Sequence, residues 1–199
     1  MQFSRRRFMA AAFAAGLVPA ARAEEPFPVK TNEWKHLAFK YQRQRVDYET
    51  AEPAGTLVVD QSKCLLYLVE GNGTAFRYGV SLGKSAHAWS GEVIIAKMTA
   101  WPIWTPAPYH LKIRPDFAQW LPDGMPGGPD NPLGARAMYL YKGNVDTVNR
   151  IHGGTKLDQI GKKKTAGCIG MLDCDVIDLF DRVAVGTRVV MLKKAGWFG

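Results

Sequence analysis

The sequence predicts a mostly-β domain, sandwich- or barrel-like, with one short helix towards its C-terminal end. Three observations lead there. Short apolar and β-branched runs recur from position 55 onward, separated by glycine and asparagine turns. One later stretch, opening at Asp173, instead places Val176, Leu179, Phe180 and Val183 at three- and four-residue steps. Apolar residues make up 47% of 199, which suits one packed core and excludes a disordered chain.

The first 23 residues read as a leader. Ser4-Arg5-Arg6-Arg7-Phe8-Met9 has the form of a twin-arginine export signature. The apolar run from Phe8 to Ala20 is thirteen residues, short of the roughly 20 a bilayer span needs. Ala21-Arg22-Ala23 then has the small-x-small form of a cleavage site. The expectation is export by the twin-arginine route to the periplasm or beyond, with no stable membrane insertion after cleavage. An uncleaved N-terminal anchor is the competing reading.

Residues 24–54 are polar with scattered aromatics, Trp34, Phe39, Tyr41 and Tyr48, and are expected to form an extension packed partly on the domain at 55–199. Thr56 to Asp60 and Cys64 to Val69 read as strands. Gly71-Asn72-Gly73 reads as a turn, and Thr74 to Val80 and Glu92 to Met98 as further strands. The segment 101–134 differs in holding eight of the twelve prolines, interleaved with Trp101, Trp104, Tyr109, Phe117 and Trp120. A long loop of that kind either walls a binding groove or covers the core with its aromatics. Ala137 to Tyr141 and Val145 to Ile151 read as a hairpin joined at Gly143-Asn144. Asp173 is the expected N-cap of the helix, Gly186 its end, and Arg188 to Leu192 a last strand.

The formal charge is +8, and removing the four leader arginines leaves +4. That balance suits solubility, and no nucleic-acid-reading motif accompanies it, so nucleic acid is not an expected partner. A monomer is expected.

The chemistry concentrates in Ile151 to Asp175, IHGGTKLDQIGKKKTAGCIGMLDCD. His152 precedes two glycines, and Cys168 ends Thr165-Ala166-Gly167-Cys168. A free thiol has a pKa near ~8.5 and needs a base to become a nucleophile at neutral pH. An imidazole takes that proton and later returns it to a leaving amine. Glycines let backbone N–H groups approach a developing oxyanion, which makes Gly167 and Cys168 the oxyanion-hole candidates, shaped by Thr165. A buried structural thiol is the alternative for Cys168. Cys64 lies in an apolar strand, and Cys174 is either buried or paired with Cys64. Neither a C-x-x-C nor an H-E-x-x-H pattern is present, so no metal is expected.

His152-Gly153-Gly154, the later Thr165-Ala166-Gly167-Cys168-Ile169 and the helix opening at Asp173 resemble the catalytic domain of the L,D-transpeptidases, the YkuD-like family. Gly127 to Ala137, GGPDNPLGARA, resembles that family's loop and following strand, and the likeness runs from about Gly55 to about Leu192. The resemblance implies a Cys168 nucleophile and a His152 base, with a thioester acyl-enzyme, peptidoglycan stem peptides as partners and no cofactor. It also implies cross-linking to an amine acceptor, and a His152 oriented by a backbone carbonyl, which Gly153 or Gly154 could supply, with no carboxylate required. Water as acceptor, giving an L,D-carboxypeptidase or an endopeptidase, stays open, and so does a non-catalytic wall-binding module. One position departs. The family carries arginine, or sometimes asparagine, two residues after the cysteine, where this chain has Gly170. Arg136, Arg150 and Lys164 are the candidate substitutes, with Arg136 favoured as a substrate-positioning residue because it follows the Pro-Leu-Gly turn.

Overall fold

The computed structural model describes residues 24–83, 90–163 and 168–192. The leader, Lys164, Thr165 and Gly167 therefore lie outside the described residues. Ten strands form one mixed sheet: β1 (Gln44–Asp47), β2 (Leu57–Asp60), β3 (Leu65–Gly71), β4 (Thr74–Gly79), β5 (Ser81–Leu82), β6 (Gly91–Ala100), β7 (Arg136–Lys142), β8 (Val145–His152), β9 (Ile169–Gly170) and β10 (Arg188–Met191). Their order across the sheet is β1-β4-β3-β2-β10-β6-β7-β8-β9-β5. Neighbours run antiparallel except for β2 with β10 and β8 with β9, which are parallel. Among the described residues there are two α-helices, α1 (Pro108–Ile113) and α2 (Asp173–Phe180).

The mostly-β architecture with a helix after Cys168 matches the expectation from sequence. Closure does not follow, because β1 and β5 stand at opposite edges of the sheet. The expected strands form with shifts of a residue or two at their ends. The turn between β3 and β4 uses Gly71, Asn72 and Gly73 in the left-handed region, at φ 89°, 52° and 72°. Two glycines make that conformation cheap, and the sequence there announces the hairpin.

Each strand of the central sheet has two distinct faces. On β7, Met138 and Leu140 join Ile151, Ile169, Val176 and Leu179 in the main core beneath α2. The alternate residue Ala137 points the other way and is covered by Trp104 and Leu133, with Phe117, Met125 and Tyr139 packed around them. The proline-rich segment thus roofs the face opposite α2. It is more ordered than a plain loop. It holds α1 and a 3₁₀ turn at Pro115–Trp120, and Trp104 bridges Met125. Asn131 pins it from within. Its buried amide donates to the carbonyls of Pro102, Met125 and Pro126, while its side-chain oxygen accepts the Leu133 N–H.

The 24–54 extension is partly sheet. β1 pairs with β4, and Tyr48 stacks on Tyr67 with ring centroids 4.3 Å apart. Glu25 binds the guanidinium of Arg136 and accepts the Trp101 indole N–H at 2.8 Å. At the C-terminal end α2 stops at Phe180, short of Gly186, and Val183 reaches the core from the turn that follows. The N-cap of α2 is Leu172, so Asp173 is its first helical residue and not the expected cap.

Candidate active site

His152 is the last residue of β8 and is 9% exposed. Its strand pairs with β7 so that Ala137 lies opposite it, under the proline-rich roof. His152 and Cys168 are sixteen positions apart in sequence, and the parallel pairing of β8 with β9 removes that distance. Ile151 is level with Ile169 and His152 with Gly170, which sets Cys168 beside Arg150 at the head of β9. Paired residues share a face of the sheet, so Ile151 and Ile169 enter the core while Arg150, His152 and Cys168 share the other side.

The imidazole is held at both nitrogens. Nδ1–H donates to the carbonyl of Gly153 at 2.8 Å. That fixes the tautomer and leaves Nε2 for the thiol, with which His152 is hydrogen-bonded. Burial alone would push the Cys168 thiol up. The hydrogen bond and charge of His152, a backbone hydrogen bond at Arg150 and the Arg150 charge outweigh it, and the thiol lies below its usual range. For His152 burial opposes the charged form, but the hydrogen bond and charge of Cys168, the Gly153 carbonyl and the Asp173 carboxylate raise it. The two shifts favour a thiolate–imidazolium pair.

The other predicted residues separate. Gly153 is in place, its N–H donating to the carbonyls of Leu133 and Arg136. Arg136 is not brought to the pair. It neighbours Ala137 on β7 and so faces the opposite side, 8% exposed, over the Phe180 ring and bound to Glu25. Arg150 is the candidate arginine that shares the face of His152. Its guanidinium lies 4.4 Å from the Tyr139 ring and is held by both Asp146 carboxylate oxygens, at 2.7 and 2.8 Å. The signal was in the sequence, since a residue two before His152 on a strand must share its face.

Gly170 has no room for an arginine. A Cβ added there would stand 2.3 Å from Thr155 Oγ1 and 3.6 Å from the Ser81 Cβ. Two further residues, one expected as a loop aromatic and one as the helix N-cap, lie at this site. Tyr109 of α1 is 43% exposed; burial first, and then the charge of Cys168, raise its phenol. Asp173 Oδ1 accepts the N–H groups of Ala135 at 2.8 Å and Gly154 at 3.0 Å, tying the roof's last turn to the His152 loop. No disulfide joins Cys64 to Cys174, and the two are buried in different clusters. Among the described residues no cluster of His, Cys, Asp and Glu could hold a metal ion, and no helix is long and apolar enough to cross a membrane.

An open mixed sheet that sets a cysteine against a carbonyl-held histidine defines a candidate cysteine acyl-transfer protein. The sequence model of the L,D-transpeptidase catalytic domain (YkuD) matches residues 54–191, and the chain belongs to that family. It is 31% identical over 145 residues to a protein of Escherichia coli strain K12 named probable L,D-transpeptidase YbiS, covering 70% of this chain and 45% of that one. This chain spans less than half the length of the curated relatives it matches. A crystal structure from Brucella melitensis, titled a probable carnitine operon oxidoreductase, is 42% identical. It covers 82% of this chain and all of its own, with a TM-score of 0.53. A cysteine-to-serine mutant of an Enterococcus faecium L,D-transpeptidase, 15% identical, shares the fold over 69% of this chain and 49% of its own, at a TM-score of 0.50.

Proposed function

We propose that this chain is an exported cysteine L,D-transpeptidase acting on peptidoglycan stem peptides. The observation that carries the reading is the His152 imidazole, fixed at Nδ1 by the Gly153 carbonyl and hydrogen-bonded to Cys168. Family membership supports the reaction class.

In this mechanism the Cys168 thiolate attacks the amide carbonyl of an L-centre that precedes a D-amino acid. The C–N bond breaks as the imidazolium gives its proton to the leaving amine, and a thioester remains. An acceptor amine, such as the side chain of a neighbouring stem's diamino acid, then attacks the thioester. His152 takes the amine's proton, the thiolate leaves and a new amide links the two stems. Gly167 and Cys168 N–H groups stay the proposed oxyanion donors, with Thr165 shaping their turn. Arg150 and Tyr109 flank the thiol and are the proposed substrate contacts. The leader at 1–23 supports export by the twin-arginine route.

The test is incubation of purified mature protein with muropeptides, followed by mass analysis. Cross-linked dimers with release of a D-amino acid are expected. Release without any dimer would replace the transferase reading by a hydrolase, and no reaction together with no acylation by a carbapenem would remove both.

A further inference from the structure

The Gly153–Gly154 peptide group is engaged at both ends. Its carbonyl accepts the His152 Nδ1–H at 2.8 Å, and its N–H, which belongs to Gly154, donates to Asp173 Oδ1 at 3.0 Å. The C=O and N–H of a trans peptide point in opposite directions, so one planar group stands between the imidazole and the carboxylate. We infer that Asp173 is a positioning residue that acts on His152 through this peptide, completing a Cys168–His152–peptide–Asp173 chain in which the carboxylate never touches the imidazole. The inference rests on the Cys168–His152 reading given above and extends it by one residue.

Three features support the relay. The approach is tight on every side, since a Cβ on Gly153 would stand 2.1 Å from Asp173 Oδ1 and one on Gly134 2.3 Å from it. Side chains at either glycine would force the carboxylate away from the peptide. Asp173 Oδ1 also accepts the Ala135 N–H at 2.8 Å, which holds it in one place while the Gly153 N–H is anchored on the carbonyls of Leu133 and Arg136. A carboxylate at the N–H end of a peptide polarises it, leaving more negative charge on the carbonyl oxygen that meets the imidazole. That oxygen then holds imidazolium better than neutral imidazole. The titratable and charged groups around the pair are Arg150 on β8, Tyr109 on α1 and Asp173 on α2, besides Cys168 itself. Of these only the Asp173 carboxylate is added negative charge on the Nδ1 side, and its field favours the charged imidazole.

The experiment compares the mature wild-type chain with Asp173→Asn and Asp173→Ala. The asparagine oxygen keeps both backbone hydrogen bonds and removes the charge. Each protein is titrated by NMR of the His152 ring and by the ultraviolet absorbance of the thiolate, and kcat and KM are measured on a stem peptide. For Asp173→Asn the expected result is a melting temperature near wild type and an imidazolium that deprotonates about one pH unit earlier, the order for one partly screened charge. A fall of about tenfold in kcat with KM little changed accompanies it. Asp173→Ala loses position and charge together and falls further. An asparagine variant with wild-type titration and kcat overturns the relay and leaves Asp173 a structural tie. Should neither variant fold, the wild-type chain decides. The Gly154 amide proton shifts as His152 titrates if the peptide carries the coupling, and an amide that stays still overturns it. A wild-type Cys168 that titrates as an ordinary thiol would remove the Cys168–His152 pair itself, which a failure confined to Asp173→Asn would not.

Discussion

Gly170 and Thr155 share one space. The hydrogen of the glycine faces Thr155 Oγ1, and a methyl group in its place would sit 2.3 Å from that oxygen. Gly170→Ala is therefore expected to cost about 1–3 kcal/mol, the scale of an overpacked core. Adding Thr155→Ala should return most of it, because the clashing oxygen is then gone. Thermal melts of the two single variants and the double variant measure the coupling, and strictly additive losses would refute the shared space.

Arg136→Ala should lower stability and spare the thiol. The guanidinium is nearly enclosed, with the Glu25 carboxylate as its ion-pair partner. Removing one member of such a pair costs about 3 kcal/mol. Denaturant unfolding gives the loss. Cys168 alkylation at fixed pH should stay within about twofold of wild type, since the side chain points away from that face. A large fall in alkylation with unchanged stability would return Arg136 to the site.

Cysteine labelling should be selective. The Cys168 thiol is lowered, whereas burial raises Cys64 and pushes Cys174 up to about 11. Limited iodoacetamide at neutral pH should place one label per chain, on Cys168. Cys168→Ser should abolish that label and reduce turnover by about a thousandfold or more, because an imidazole matched to a thiol activates a hydroxyl poorly. Peptide mapping reads the label, and turnover within a few-fold of wild type would exclude Cys168 from the mechanism.

Asp175 makes stability depend on pH. Its side chain is fully enclosed and Oδ2 has no hydrogen-bond partner. Burial, partly offset by Arg43 at 3.7 Å, pushes the carboxyl up to about 7. A carboxyl raised in the folded state favours folding while protonated. Its contribution is complete below the unfolded value near 4 and is lost as pH rises to about 7. Asp175→Asn should thus melt higher than wild type at pH 8, by a few degrees, and level with it near pH 4. Equal melting at both values would show that Arg43 neutralises the group fully.

Much of this site can be read from one strand end and one motif. The Gly143-Asn144 turn fixes β8, which delivers His152, and the apolar periodicity after Cys168 announces α2. The sequence could not show the register in which β7, β8 and β9 pair. That register sends Arg136 towards Glu25 and sets Arg150 beside Cys168. Two-residue strands such as β5 and β9 carry no periodicity to detect, and β1 alternates half-buried with exposed residues without a strong apolar signal. α1 was hidden because prolines flank it, although Pro108 at its first position is where a helix accepts one. Asp173 lies 38 positions from Ala135, and local spacing does not reveal a bond of that span.

The family boundaries and the folding unit do not coincide. The family model begins at residue 54, yet β1 covers the outer edge of β4 and Glu25 accompanies Arg136 from further upstream. A chain trimmed to 54–191 would bare the N–H and C=O groups of β4 beside Phe76 and Tyr78, a ready template for strand addition between copies. It would also leave a buried guanidinium without its carboxylate. The thirty residues at 24–53, outside the family model, thus cover an edge that trimming would expose, and a chain cut to the matched boundaries is expected to aggregate.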